Sequence, residues 1–108
     1  MTTITFYMEG SRITGFYASG HSGYGEAGSD IVCAAVTSAV RLAECTINDV
    51  MGLSASVKAG ADVISLRLPG SLGEAAEEAC QTILTGMMVY LSELHNEYPE
   101  NIEVMEAG

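Results

Sequence analysis

Basic residues are scarce: four Lys and Arg stand against 14 Asp and Glu, a formal net charge of −10 over 108 residues. A surface of that sign repels phosphate backbones, so nucleic acid is not an expected partner. It favours solubility and a basic substrate, although most of these carboxylates need do no more than face water. Paired cysteines are missing as well. Three cysteines, an odd number with no CxxC spacing, argue against a disulfide framework and a structural zinc site, and fit reduced thiols in a cytosol. No metal or cofactor is expected. No apolar run approaches a membrane span and no charged-then-apolar leader opens the chain. The expectation is a soluble, cytoplasmic protein with no membrane partner.

What is present suits one domain over residues 1–108, since 48% of the residues are hydrophobic and can supply a single core. Residues 2–8 are rich in β-branched and aromatic types and read as a strand. Glu9-Gly10-Ser11 is a turn, and 12–19 reads as the antiparallel partner, with Gly15 a possible bulge. From Ile31 to about Met51 the spacing becomes helical. Val32, Val36, Ala39, Ala43, Ile47 and Val50 form an apolar stripe, and Thr37, Arg41, Glu44 and Asn48 a polar one.

Gly52 ends that helix. Residues 54–59 and 62–68 read as a second strand pair around Gly60-Ala61. Ser71-Leu72-Gly73-Glu74 has the form of a capping box opening a second helix. Its expected inner stripe is Leu72, Ala76, Ala79, Ile83, Met87 and Leu91, with Glu74, Glu77, Glu78 and Gln81 outward. It should fray around His95–Pro99, before a short strand over 101–106.

The order β-β-α-β-β-α-β predicts an α/β protein of the α+β type, with two long helices on one face of a mostly antiparallel or mixed sheet. Phe6, Phe16 and the alternate apolar strand residues suggest that a second subunit covers the other face.

Chemistry concentrates between the first hairpin and the first helix. The run from Gly20 to Cys33 reads GHSGYGEAGSDIVC. His21 leaves the strand, four glycines allow a tight or mobile loop, and Asp30 is a good N-cap residue. Cys33 then falls in the first helical turn, where unpaired amides favour a thiolate. A loop that folds His21 onto Cys33 would let the imidazole take the thiol proton. From the residues alone, Cys33 reads either as this nucleophile or as core filler. Cys45 and Cys80, inside the helices, read as filler. His95, near a helix C-terminus, reads as a dipole partner.

Two motif readings fail. Gly23-x-Gly25-x-x-Gly28 nominally fits a dinucleotide fingerprint, but a hairpin follows the helix and Glu26 and Asp30 carry the wrong charge for phosphate. A phosphatase-type Cys-x5-Arg loop is absent, the nearest downstream arginine being Arg41.

Gly20-His21-x-Gly23-Tyr24 followed by Asp30-Ile31-Val32-Cys33-Ala34-Ala35-Val36 resembles the ribosomal-processing cysteine protease family, Prp, of Firmicutes and related bacteria. The match is dense over about residues 15–40. The resemblance implies a small homodimeric endopeptidase that trims the N-terminal extension of large-subunit ribosomal protein twenty-seven. Carried over by position, Cys33 is the nucleophile and His21 the general base. Asp30 matches the motif aspartate, orienting the imidazole, capping the helix, or both. Thr37 holds the place of a hydroxyl residue common in the family. Gly20, Ser22, Gly23, Tyr24, Gly25 and Glu26 would contact the substrate, Tyr24 reading aromatic residues and Glu26 a lysine. The competing expectation, from a different class, is a non-catalytic ribosome-assembly or ligand-binding module.

Overall fold

Alternation at the N-terminus becomes a hairpin. Thr2–Glu9 (β1) and Arg12–Ser19 (β2) pair antiparallel, joined by a turn in which Gly10 takes φ +63, a region that favours glycine. The pairing register slips between Tyr7 and Met8, which pair with Gly15 and Ile13. The extra residue of the bulge is therefore Thr14, beside Gly15 rather than on it. The computed structural model describes residues 1–20 and 31–108.

Helix α1 spans Ile31–Cys45 and runs into a π turn over Thr46–Val50, closed by Met51 N–H on Thr46 O at 2.9 Å. Gly52 at φ +67 then reverses the chain. Strands Ser56–Ala59 (β3) and Val63–Arg67 (β4) form the second hairpin, α2 spans Glu74–Glu97, and Ile102–Ala107 is β5. The sheet order is β3-β4-β2-β1-β5, antiparallel except for β5 beside β1, so the sheet is mixed. The expected element order holds.

Both helices lie on one sheet face. Ile4, Phe6, Phe16, Leu66 and Ile102 of the strands meet Val32, Val36, Val40, Ala43 and Ile47 of α1 and Cys80, Leu84, Met87, Leu91 and Leu94 of α2. Each fully buried Leu, Ile or Phe stabilises the fold by about 1.5–3 kcal/mol. Phe6 and Phe16 are fully buried beneath the helices with ring centroids 6.3 Å apart, so they do not mark a subunit contact on the opposite face. That face carries Thr3, Thr5, Tyr7, Tyr17, Ser65 and Arg67, as the period of two requires once Phe6 and Phe16 point inward.

Several expectations need correction. The buried stripe of α1 holds Val40 rather than Ala39, and Val50 is exposed, because the π turn rotates the last residues away from the helical phase. On α2 the stripe runs through Cys80 and Leu84 rather than Ala79 and Ile83. Ser71 is not the cap: Gly73 is, with no side-chain bond to the first turn.

Polar residues assigned to water are engaged. Arg12 donates from Nε and a second nitrogen to Glu77 on α2, at 2.5 and 3.1 Å; this hydrogen bonding holds the guanidinium pKa above its usual value. Asn48 donates to Ala55 O at 3.0 Å and accepts from Ala55 N–H at 2.7 Å. That clamp fastens the turn in which Ser54 takes φ 57. His95 does more than face a dipole, because its Nδ1 lies within hydrogen-bonding distance of Ile102 O in β5.

One exclusion also changes. Ile31–Val50, 20 residues, is long and apolar enough by length and composition to cross a membrane. Here its apolar stripe packs into the core, with Arg41, Glu44 and Asp49 along its length.

Candidate active site

The N-terminal half of α1, the end of β2 and the β3–β4 turn enclose a cleft of about 260 Å³. Cys33, Thr37 and Arg41, successive residues at a spacing of four on α1, form one wall. Ser19 and Gly20 at the end of β2 form a second wall, and Gly60, Ala61 and Asp62 of the turn a third. Thr2, Val36 and Ile64 add to the lining.

Cys33 is the third residue of α1 and is half-buried. First-turn amides of a helix lack intrahelical partners and carry partial positive charge. A thiol at this position, open to a cleft, can exchange its proton and meet a ligand. Thr37 brings a hydroxyl to the same wall one turn on.

The facing wall is held by the backbone. Gly20 N–H donates to Asp62 O at 3.0 Å, and Thr2 Oγ1 lies 3.4 Å from Gly20 O. Gly20 takes φ +88, and a Cβ there would stand 2.6 Å from Met1 O, so no other residue fits without a shift. The β3–β4 turn is closed by Gly60 N–H on Val63 O at 2.8 Å.

Thus Gly20, Cys33 and Thr37, named from the sequence, share one cleft. His21, Ser22, Gly23, Tyr24, Gly25, Glu26 and Asp30 lie outside the described residues. The sequence reading missed Arg41 and Asp62. Arg41 was on the polar stripe with Thr37, and that spacing was the signal; it also pairs with Glu44 at 3.0 Å. Asp62 carried no signal, because only strand pairing brings its turn to α1. Among the described residues no group of three or more His, Cys, Asp or Glu is arranged to hold a metal ion.

The other thiols differ from Cys33. Cys80 is fully buried, and burial pushes its pKa up, as filler should behave. Cys45 is not filler: it is exposed, its Sγ 3.2 Å from Asp49 Oδ2, and that carboxylate raises the thiol pKa.

A half-buried cysteine in the first turn of a helix, lining a cleft, is compatible with thiol chemistry. A family model described as cysteine protease Prp matches residues 1–103. The chain belongs to the Prp family. It is 31% identical to the ribosomal processing cysteine protease Prp of Bacillus subtilis (strain 168) over 94 residues, 85% of this chain and 84% of that protein. Among solved structures it is similar to the essential ribosomal processing protease Prp of S. aureus in complex with a covalently linked product peptide. That likeness has a TM-score of 0.78 and 26% identity over 99% of this chain and 100% of the other. The same S. aureus protease with a substrate peptide aligns at TM-score 0.81 with 23% identity over 99% and 100%, a likeness of fold. The protein is therefore a cysteine protease of ribosomal-protein processing, not a binding module alone.

Proposed function

We propose that residues 1–108 act as one cytoplasmic protease domain that removes the N-terminal extension of large-subunit ribosomal protein twenty-seven, with Cys33 as nucleophile and His21 as general base. The observation that carries this reading is the placing of Cys33, in the first turn of α1, across one cleft from Gly20, the residue before His21.

In the reaction, His21 takes the Cys33 proton and the thiolate sulfur attacks the scissile carbonyl carbon. First-turn amides, the Cys33 N–H among them, receive the charge that develops on the carbonyl oxygen. The C–N bond breaks as the imidazolium returns its proton to the leaving amine, and a thioester remains. Water, deprotonated by His21, then hydrolyses the thioester to a carboxylate and restores the thiol. Asp30 caps α1 and orients the imidazole, and the Thr37 hydroxyl supports the same wall. Gly20, Ser22, Gly23, Tyr24, Gly25 and Glu26 contact the peptide, Tyr24 through apolar and aromatic side chains and Glu26 through a lysine. The net charge of −10 draws such a basic protein toward the enzyme. No metal or cofactor enters any step.

The test is mass spectrometry of the substrate's N-terminus after incubation with purified protein. Wild type should remove the extension, and Cys33→Ala and His21→Ala should each lose at least about a thousandfold in rate. A Cys33→Ala protein that processes the extension at the wild-type rate would end this reading.

A further inference from the structure

The chain has four Lys and Arg, and one of them lies on the cleft. Arg12 is tied to Glu77, and Lys58 and Arg67 line the open sheet face. Among the described residues of the cleft only Arg41 and Asp62 carry charge. The rest of the lining is mostly small or apolar, with Ala18, Val36, Ala59 and Ala61 among it.

The Arg41 side chain is 62% exposed, and its Nε lies 3.0 Å from Glu44 Oε1. An exposed pair of this kind adds little to stability. It does fix one edge of the guanidinium, and it leaves the terminal N–H groups to donate. Such a planar fork matches a carboxylate or an amide oxygen.

Spacing sets the distance of that fork from the chemistry. Arg41 follows Cys33 by two steps of four on α1, about 12 Å along the axis at about 1.5 Å per residue. An extended peptide advances about 3.3 Å per residue and covers that length in roughly three or four residues. Thr37 stands halfway along the same wall.

We propose that Arg41 is a specificity residue of this protease. It receives an acceptor side chain of the substrate, from Asp, Glu, Asn or Gln, roughly three or four residues from the scissile bond. The inference rests on Cys33 as the nucleophile. A peptide whose reacting carbonyl meets Cys33 and whose backbone follows α1 past Thr37 brings that side chain to the guanidinium. The net charge of −10 draws a basic substrate from a distance, whereas Arg41 acts only at contact. It accepts an oxygen at one position and rejects lysine there by like charge. A contact this far from the sulfur fixes register, so that one bond is cut and not its neighbours. At about 12 Å the Arg41 charge is largely screened from Cys33 at physiological salt, so it does not act through the thiol.

The test is kcat/KM for peptides spanning the cleaved junction. Each position within about five of the cut is replaced in turn by Glu, Gln, Leu and Lys. Wild type should favour Glu, Gln or both over Leu by about tenfold at one position, roughly three or four from the cut, with Lys poorest. A preference for Glu should weaken between about 50 and about 500 mM NaCl and one for Gln should not, which tells the two acceptors apart. Arg41→Leu should erase the preference, mostly through KM. Arg41→Lys should restore it for Glu, and Arg41→Glu should turn it toward Lys. Cys33 should keep its rate with iodoacetamide in all three variants. A wild type that cuts the set without such a preference, or a preference that survives in Arg41→Leu, overturns the proposal and leaves the assignment of Cys33 standing. Slowed alkylation of Cys33 in Arg41→Leu overturns it too, by assigning Arg41 to the thiol. A wild type that cuts no peptide ends the reading of the site itself, and this inference with it.

Discussion

Gln81 pairs with Ile13 as a strand would: its Nε2 donates to Ile13 O and its Oε1 accepts from Ile13 N–H, both at 2.8 Å. Ile13 pairs with Met8 of β1 but lies beyond the β2–β4 ladder, which begins at Gly15, and is itself buried. An α2 side chain thus completes the edge of β2. Gln81→Leu keeps the volume but strands an N–H and a carbonyl, each worth about 1–3 kcal/mol when left unpaired in the interior. Denaturant titration should show a loss of about 2–4 kcal/mol at unchanged m. A variant within about 0.5 kcal/mol of wild type would mean that water replaces the amide without cost.

Gln81 also shows where the sequence ran out. Element order was legible because its signals are local: alternation over 2–8 and 12–19, helical spacing from Ile31, and glycine at 10 and 52. The side-chain couplings were not. An amphipathic reading sends Gln81, Glu77 and Asn48 to water, yet their partners are Ile13, Arg12 and Ala55, joined only by tertiary contact. The expected inner stripe of α2 is right at Met87 and Leu91 and one residue early at Ala79 and Ile83, because a tally of apolar residues does not distinguish these from their neighbours Cys80 and Leu84, which take the core. In the cleft, Cys33 and Gly20 followed from a helix start and a strand end in the chain itself. Asp62 reaches the site only because β4 pairs with β2.

Gly15 is fixed by its neighbour strand. A Cβ at this position would stand 2.2 Å from Leu66 O, far inside contact distance, and both partners are backbone. Gly15→Ala must push β4 away from β2, disturbing Leu66 and the register that holds the β3–β4 turn at the cleft. The expected cost is about 3 kcal/mol or more, read as a Tm lowered by roughly 10 °C or more for a domain of this size. Gly60→Ala, with no atom within 4 Å of the added carbon, is the control and should shift Tm far less.

The three thiols should separate by reactivity. Cys33 lines the cleft at a helix start, Cys45 is exposed but held protonated by Asp49, and Cys80 is sealed in the core. Iodoacetamide near neutral pH should modify Cys33 first, Cys45 more slowly and Cys80 only on unfolding, with mass mapping of peptides as the readout. Equal rates for Cys33 and Cys45 would remove the case for an activated thiol. Stability follows the Cys80 shift with a definite sign. Its folded pKa lies above the 9.0 of the unfolded thiol, so the folded state holds its proton longer. The stabilisation is complete below pH 9 and is lost as pH rises through the folded pKa. Cys80→Ala lowers stability overall, and it should also flatten the decline of ΔG above pH 9.

Gly20 links the fold to the chemistry. Its N–H is tied to Asp62 O, its φ is +88, and Met1 O occupies the space a Cβ would need. Gly20→Ala must therefore move the backbone that leads directly to His21, while the helices and their core stay where they are. If His21 is the general base, a displacement of about 1 Å costs on the order of a hundredfold in kcat/KM. Global stability should fall by about 1–3 kcal/mol, the usual cost of forcing a side chain into this backbone region. Cleavage of the extension peptide and a denaturant titration on the same sample separate the two effects. A variant that loses stability yet cleaves at the wild-type rate would show that the position of Gly20 does not set the position of the base. That outcome would count against His21 as the proposed base and would not bear on Cys33.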